Sequence, residues 1–225
     1  MNSSISNSPD RQELFDNLAF LGEITASVTH ELNNVLGTIE QVSGLAEDLA
    51  ITERARSAGL DDRLADIAER IARQSERGSG LIKRLNRLAH LTDEPVMEFD
   101  LAELLENILA LCERFANMRK VALRAAGFER KIMLETSPLL VTRAFYNVFR
   151  GVLAGSASNE ALDVRLESAD TEVMVEFDGH RGESPLDGMV LMSQADVLMV
   201  GLGGRLEITT GGGRNRVRLY LPITG

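Results

Sequence analysis

The stretch Leu21-Gly22-Glu23-Ile24-Thr25-Ala26-Ser27-Val28-Thr29-His30-Glu31-Leu32-Asn33-Asn34-Val35-Leu36 decides how the first part of the chain folds. Within it Leu21, Thr25, Val28, Leu32 and Val35 fall at alternating spacings of four and three. The pattern continues outward through Leu14 and Leu18 on one side and Ile39, Val42, Ala46 and Leu49 on the other. Sustained over about five heptads, such spacing is a helix with a single apolar seam. A charged break over 51–59 closes on Gly59. From Leu60 a second seam runs through Leu64, Ile67, Ile71, Gln74, Gly78, Leu81, Leu85 and Leu88 and stops before Pro95. The two helices form an antiparallel hairpin over 13–92. Two helices alone do not enclose seams of this length, so a second copy is expected to pair with the first as a dimeric four-helix bundle.

The remaining 97–225 reads differently. Asp100 is placed to cap an apolar helix over about 101–117, and short β-rich runs follow at 119–125 and 131–134. Ser137 and Pro138 lead into a helix to about 154. Alternating runs at 161–167 and 171–177 are strands, 186–202 is helical, and 204–210 with 214–221 make a hairpin around Gly211-Gly212-Gly213. Helices mixed with a mostly antiparallel sheet give an α+β sandwich. The fold class is therefore a helical hairpin followed by an α+β domain, behind a Ser- and Asn-rich flexible lead at 1–12.

Composition removes several functions. The 225 residues carry 24 Lys plus Arg against 34 Asp plus Glu, a net charge of −10, which disfavours nucleic acid and anionic membranes as partners. Trp is absent and aromatics are 4%, so a base-stacking platform is lacking. No apolar run reaches the roughly 18 residues of a spanning helix, and the polar start MNSSISNSPDRQ has no signal-peptide core, so a cytoplasmic location is expected. One cysteine and three scattered histidines make neither a disulfide nor a metal site. Cys112 reads as a buried thiol, and Met189, Met192 and Met199 as core packing.

His30 lies two residues after the seam position Val28, on the outward face. Imidazole changes charge near neutral pH, so an exposed one supplies a neutral nucleophile. Glu31 stands ready to accept a ring proton, and Asn34, one turn on, to orient a phosphoryl oxygen or a water. The stretch from Leu21 to Leu36 resembles the phospho-acceptor box of sensor histidine kinases, in the subclass reading His-Glu-Leu-Asn-Asn-Pro-Leu, with Val35 in place of Pro. The resemblance implies that His30 carries the phosphoryl group, with Glu31 and Asn34 assisting. Reversal of the chain near residue 55 sets Gly78-Ser79-Gly80 opposite His30, where small side chains leave room. Arg70, Arg73, Arg77 and Arg84 form a basic stripe on the second helix, read as a solvated face or as steering for an acidic partner.

Residues 97–225 resemble the ATP-binding domain of the same kinases, with three altered boxes. The first, two asparagines four apart with the second holding Mg²⁺, reads Asn147-Val148-Phe149-Arg150-Gly151, so the metal ligand is missing. The second, Asp-x-Gly-x-Gly, reads Asp178-Gly179-His180-Arg181-Gly182, which keeps the adenine-reading Asp178 and Gly182. Counting back from Gly203-Gly204-Arg205 sets Met189 and Leu191 on the phosphate-loop glycines. The lid segment, 183–188, is short.

An intact acceptor with an eroded donor site implies a dimeric histidine phosphotransferase of a phosphorelay. It would shuttle phosphoryl groups between receiver-domain Asp residues and His30 with no ATP or metal, keeping Asn147, Asp178 and Gly182 as a nucleotide-site remnant. The alternatives are an ATP-dependent histidine kinase core with a divergent pocket, and a non-catalytic scaffold that binds a kinase or receiver.

Overall fold

The structure, a computed structural model, describes residues 9–52, 60–182 and 188–223. Residues 53–59 of the charged break and 183–187 of the lid segment lie outside them. The chain divides into two compact units, Leu21–Arg87 and the remainder.

The first unit consists of most of helix α1 (Pro9–Thr52) and nearly all of helix α2 (Leu60–Ala89). Residues 9–12 of the expected flexible lead are helical, as α1 starts at Pro9, and residues 1–8 lie outside the described residues. Proline suits a first turn, since its missing N–H has no partner there in any case. Ile24, Val28, Val35 and Val42 are buried on α1, and Ile67 is buried on α2. Gly78 belongs to the same seam: a Cβ there would lie 3.2 Å from Val35 Cγ1, so the missing side chain sets how closely the helices approach at that level. Leu36, Leu45, Leu64 and Ile82 remain exposed. Val28 and Val35 are thus buried within one hairpin; Leu36 and Leu45, nine residues apart, lie on opposite sides of α1, whereas Leu64 and Ile82 share a side of α2.

The second unit holds strand β1 (Met97–Asp100), α3 (Leu101–Met118), β2 (Ala122–Ala126), β3 (Met133–Thr136), α4 (Pro138–Ala154), β4 (Ala161–Ser168), β5 (Glu172–His180), α5 (Met189–Gly201), β6 (Arg205–Gly211) and β7 (Arg214–Pro222). Asp100 caps α3 by accepting from Ala102 N, and the same oxygen accepts from Ile132 N, both at 3.1 Å. Ser137 caps α4. Strand β1, which the sequence reading omits, pairs antiparallel with β3. The main sheet runs β2-β4-β5-β7-β6, parallel only between β2 and β4. Gly212 and Gly213 have φ of +58° and +74°, the left-handed values a tight hairpin requires.

Strand period two sorts the β5 side chains. Val173, Val175 and Phe177 face the helices, with Phe177 and Phe145 of α4 at 4.9 Å between ring centroids. Glu176 and Asp178 occupy the other face. The first turns of α1 also belong to this unit: Arg143 of α4 donates to Asn17 Oδ1 at 2.7 Å, and the Phe20 and Tyr146 rings meet edge-on at 5.1 Å.

Candidate functional site

His30 is exposed on α1, and the side-chain amide of Asn34, one turn along, sits 3.2 Å from its Nδ1. Nδ1 is covered by this contact. Glu31 has a partner on the other helix, since Arg77 Nη2 of α2 donates to Glu31 Oε2 at 2.8 Å. Sequence reasoning singled out Arg77 only as one of a stripe; Arg73 within that stripe pairs with Glu69 on its own helix. Gly78, expected to leave room beside His30, is instead packed against Val35, and Gly80, about 200° round α2 from it, is on the side away from that contact, where a Cβ would meet nothing within 4 Å. An exposed imidazole with one nitrogen held and the other open is a suitable phospho-acceptor.

The second candidate site is a cavity of about 610 Å³ between α4, α5 and the β6–β7 hairpin. Val152, Met189, Met192, Leu206, Ile208 and Val217 line it, with Ser193, Asp196, Thr210 and Asn215 as its polar groups. Its size suits a small-molecule ligand. Asn147, Asp178 and Gly182, the residues the sequence reading kept as a nucleotide-site remnant, do not line the cavity, whereas Gly151 and Met189, read as a lost metal ligand and an obstruction, do. Asp178 is on the opposite face of the sheet. Its Oδ1 accepts from Arg214 Nε at 2.6 Å and its Oδ2 from Arg216 Nη2 at 2.9 Å, so this carboxylate is committed to two guanidiniums. Burial pushes the Asp178 pKa up, but the hydrogen bonds and charges of Arg214 and Arg216 prevail and hold it below the ordinary carboxylate value. Gly182 packs on Ser156, where a Cβ would come within 2.9 Å of a carbonyl oxygen.

These residues do not fit Mg²⁺ in the arrangement that the asparagine box implies. Gly151 has no ligand atom, and a Cβ there would fall 2.7 Å from Met192 Cε and 3.1 Å from the Gly188 carbonyl oxygen. Helix α5 therefore packs into the space that a metal-binding asparagine would need. Sequence alone missed Asn215, Thr210 and Asp196 as cavity groups because no box contains them. It missed Arg214 and Arg216 because a strand's facing is invisible until its register is known.

No family model matches the chain. Among curated proteins it is 26% identical over 171 residues to the sensor histidine kinase ZraS of Escherichia coli strain K12, covering 72% of this chain and 35% of that protein. It is 24% identical over 178 residues to ZraS of Salmonella typhimurium, covering 78% and 37%. The chain thus spans little more than a third of the length of the curated relatives it matches. Among solved structures, the catalytic domain of histidine kinase ThkA superposes with a TM-score of 0.51 at 13% identity, covering 57% of this chain and 97% of that domain. The Acinetobacter baumannii histidine kinase AdeS superposes with a TM-score of 0.50 at 12% identity, covering 87% and 98%. The helices with their mixed sheet have the fold of histidine kinase catalytic domains, and the curated proteins that the chain resembles in sequence are sensor histidine kinases.

This kinship corrects the functional expectation. The curated relatives are sensor histidine kinases, which favours an ATP-dependent kinase core over a phosphotransferase that shuttles between receivers without ATP. Altered box residues by themselves do not establish loss of the donor reaction. Among the described residues, no helix is long and apolar enough to cross a membrane.

Proposed function

We propose that the chain is the core of an ATP-dependent histidine kinase of two-component signalling, with a divergent nucleotide pocket and His30 as phospho-acceptor. The observation that carries the reading is the exposed His30 with Nδ1 covered by Asn34, set within a sequence related to sensor kinases. Nε2 is the open nitrogen, and it attacks phosphorus in the tautomer whose Nδ1–H donates to the Asn34 amide oxygen. Glu31 and Asn34 assist, and the phosphoryl group passes on to the Asp of a response-regulator receiver.

The cavity beside α5 is the proposed nucleotide pocket, with its apolar walls taking the base and sugar. Asn147, Asp178 and Gly182 stand outside it as structural residues, and no step is assigned to Mg²⁺. Two hairpins pair as a four-helix bundle that covers Leu64 and Ile82, which share a side of α2 and stand exposed on one hairpin, so the protein acts as a homodimer. Titration with ATP by calorimetry, with and without Mg²⁺, tests the pocket. Saturable binding is expected, weakened by Met192→Trp, which fills the cavity. No heat of binding at millimolar ATP would overturn the reading.

A further inference from the structure

Across the hairpin, Arg77 is joined to Glu31 at 2.8 Å, and Glu31 is the next residue after His30. Its neighbour Gly78 explains the reach: at that position α2 comes close enough to α1 for a Cβ to crowd Val35. An arginine one residue away then spans to the carboxylate. Glu31 is only 19% exposed at its side chain, Arg77 59%. The acidic group is therefore partly enclosed while its cation faces the solvent from which a phosphoryl donor arrives.

We propose that Arg77 is a positioning residue for phosphoryl transfer to His30, pinning the Glu31 carboxylate and offsetting its negative charge beside the incoming phosphoryl group. The proposal rests on His30 being the phospho-acceptor and is indifferent to which donor supplies the group. In the transfer a ring nitrogen of His30 forms a bond to phosphorus while the bond from phosphorus to the leaving group breaks. The leaving group keeps that electron pair, and the ring proton is lost to solvent. The phosphoryl group brings negative charge to within a residue of Glu31, and like charges at such range repel. Arg77 cancels that repulsion and holds the carboxylate in one rotamer across the hairpin, which a flexible glutamate on a single helix does not achieve by itself.

The test uses the whole 225-residue chain and phosphoramidate, a small donor that needs no nucleotide pocket; its P–N bond breaks and ammonia leaves. His30 phosphorylation is followed by intact mass in wild type, Arg77→Gln, Arg77→Lys, Glu31→Gln and the double variant Glu31→Gln with Arg77→Gln. Arg77→Gln is expected to slow the reaction roughly three- to tenfold at low salt, with a smaller difference at high salt. Arg77→Lys should recover much of that loss. In the Glu31→Gln background, removing Arg77 should change the rate less than about twofold, since no charge is left to offset. A purely structural role for Arg77 predicts the same loss in both backgrounds, and that result would overturn the proposal. So would equal rates for wild type and Arg77→Gln, or no phosphorylation of His30. Parallel incubations with ATP separate the two claims: failure with ATP alone, with the phosphoramidate pattern intact, refutes the kinase reading and leaves the role of Arg77 standing.

Discussion

At His30 the ring nitrogen beside Asn34 is the one that does not react. Where the Asn34 amide N–H donates to Nδ1, the ring proton sits on Nε2; where the amide is turned, its oxygen accepts from Nδ1–H and the Nε2 lone pair is free. Nδ1 is covered in both, but only the second leaves Nε2 a nucleophile, so with the amide oxygen accepting from Nδ1–H the phosphoryl adduct is expected on Nε2, as phosphorus NMR of the labelled protein would show. Asn34→Ala should give a mixture of the two isomers and slower labelling. A single Nδ1 adduct in wild type would contradict the assignment. His30→Ala removes the acceptor but little packing, because the side chain is exposed. Its unfolding free energy should stay within about 0.5 kcal/mol of wild type. His30 was legible because a long motif surrounds it, and Glu31 was legible as its neighbour. The tie from Glu31 to Arg77 was not, since it depends on the relative rotation of two helices.

At the level of elements, two glycines on α2 should respond oppositely to substitution. Gly78 is packed against Val35 and Leu32, so Gly78→Leu is expected to destabilise by about 1–3 kcal/mol through overpacking. Gly80 meets nothing, so Gly80→Ala should stabilise by about 0.5–1 kcal/mol through helix propensity. Chemical denaturation distinguishes the two, and similar effects at both would mean the helices approach differently. In the sheet, Asp178 carries an acid sensitivity of definite sign. Its pKa is lowered in the folded protein, so its contribution is present above the ordinary carboxylate value near about 4 and is lost as pH falls through the folded value. Asp178→Asn should unfold more easily than wild type at neutral pH, with the gap narrowing as pH drops below about 4. A gap that stays constant across that range would contradict the ion-pair assignment. The box Asp178-Gly179-His180-Arg181-Gly182 could be spotted by letters. Which face of the sheet its aspartate occupies follows only from the pairing of Asp178 with Arg216 and of Phe177 with Val217.

For the whole molecule, the heptad seam and the alternating strands were legible because apolar periodicity is what builds the hairpin and the sandwich. Strand β1 escaped because four residues, Met97–Asp100, carry too short a pattern. The extent of monomer burial also escaped, because a seam does not reveal whether its partner lies on the same chain. Val28 and Val35 are satisfied within the hairpin, and Leu36, Leu45, Leu64 and Ile82 are not. If two copies pair over the side of α2 that bears Leu64 and Ile82, light scattering at micromolar concentration should give a dimer mass, and Leu64→Glu with Ile82→Glu should give a monomer. A monomeric wild type would refute the bundle.

The most direct test of the kinase assignment is incubation of the purified chain with γ-labelled ATP, followed by mapping of the label. The account predicts acid-labile, alkali-stable label on His30 in wild type and none in His30→Ala, with both proteins equally folded. Absence of label in wild type at saturating ATP, or label that persists in His30→Ala, would contradict it.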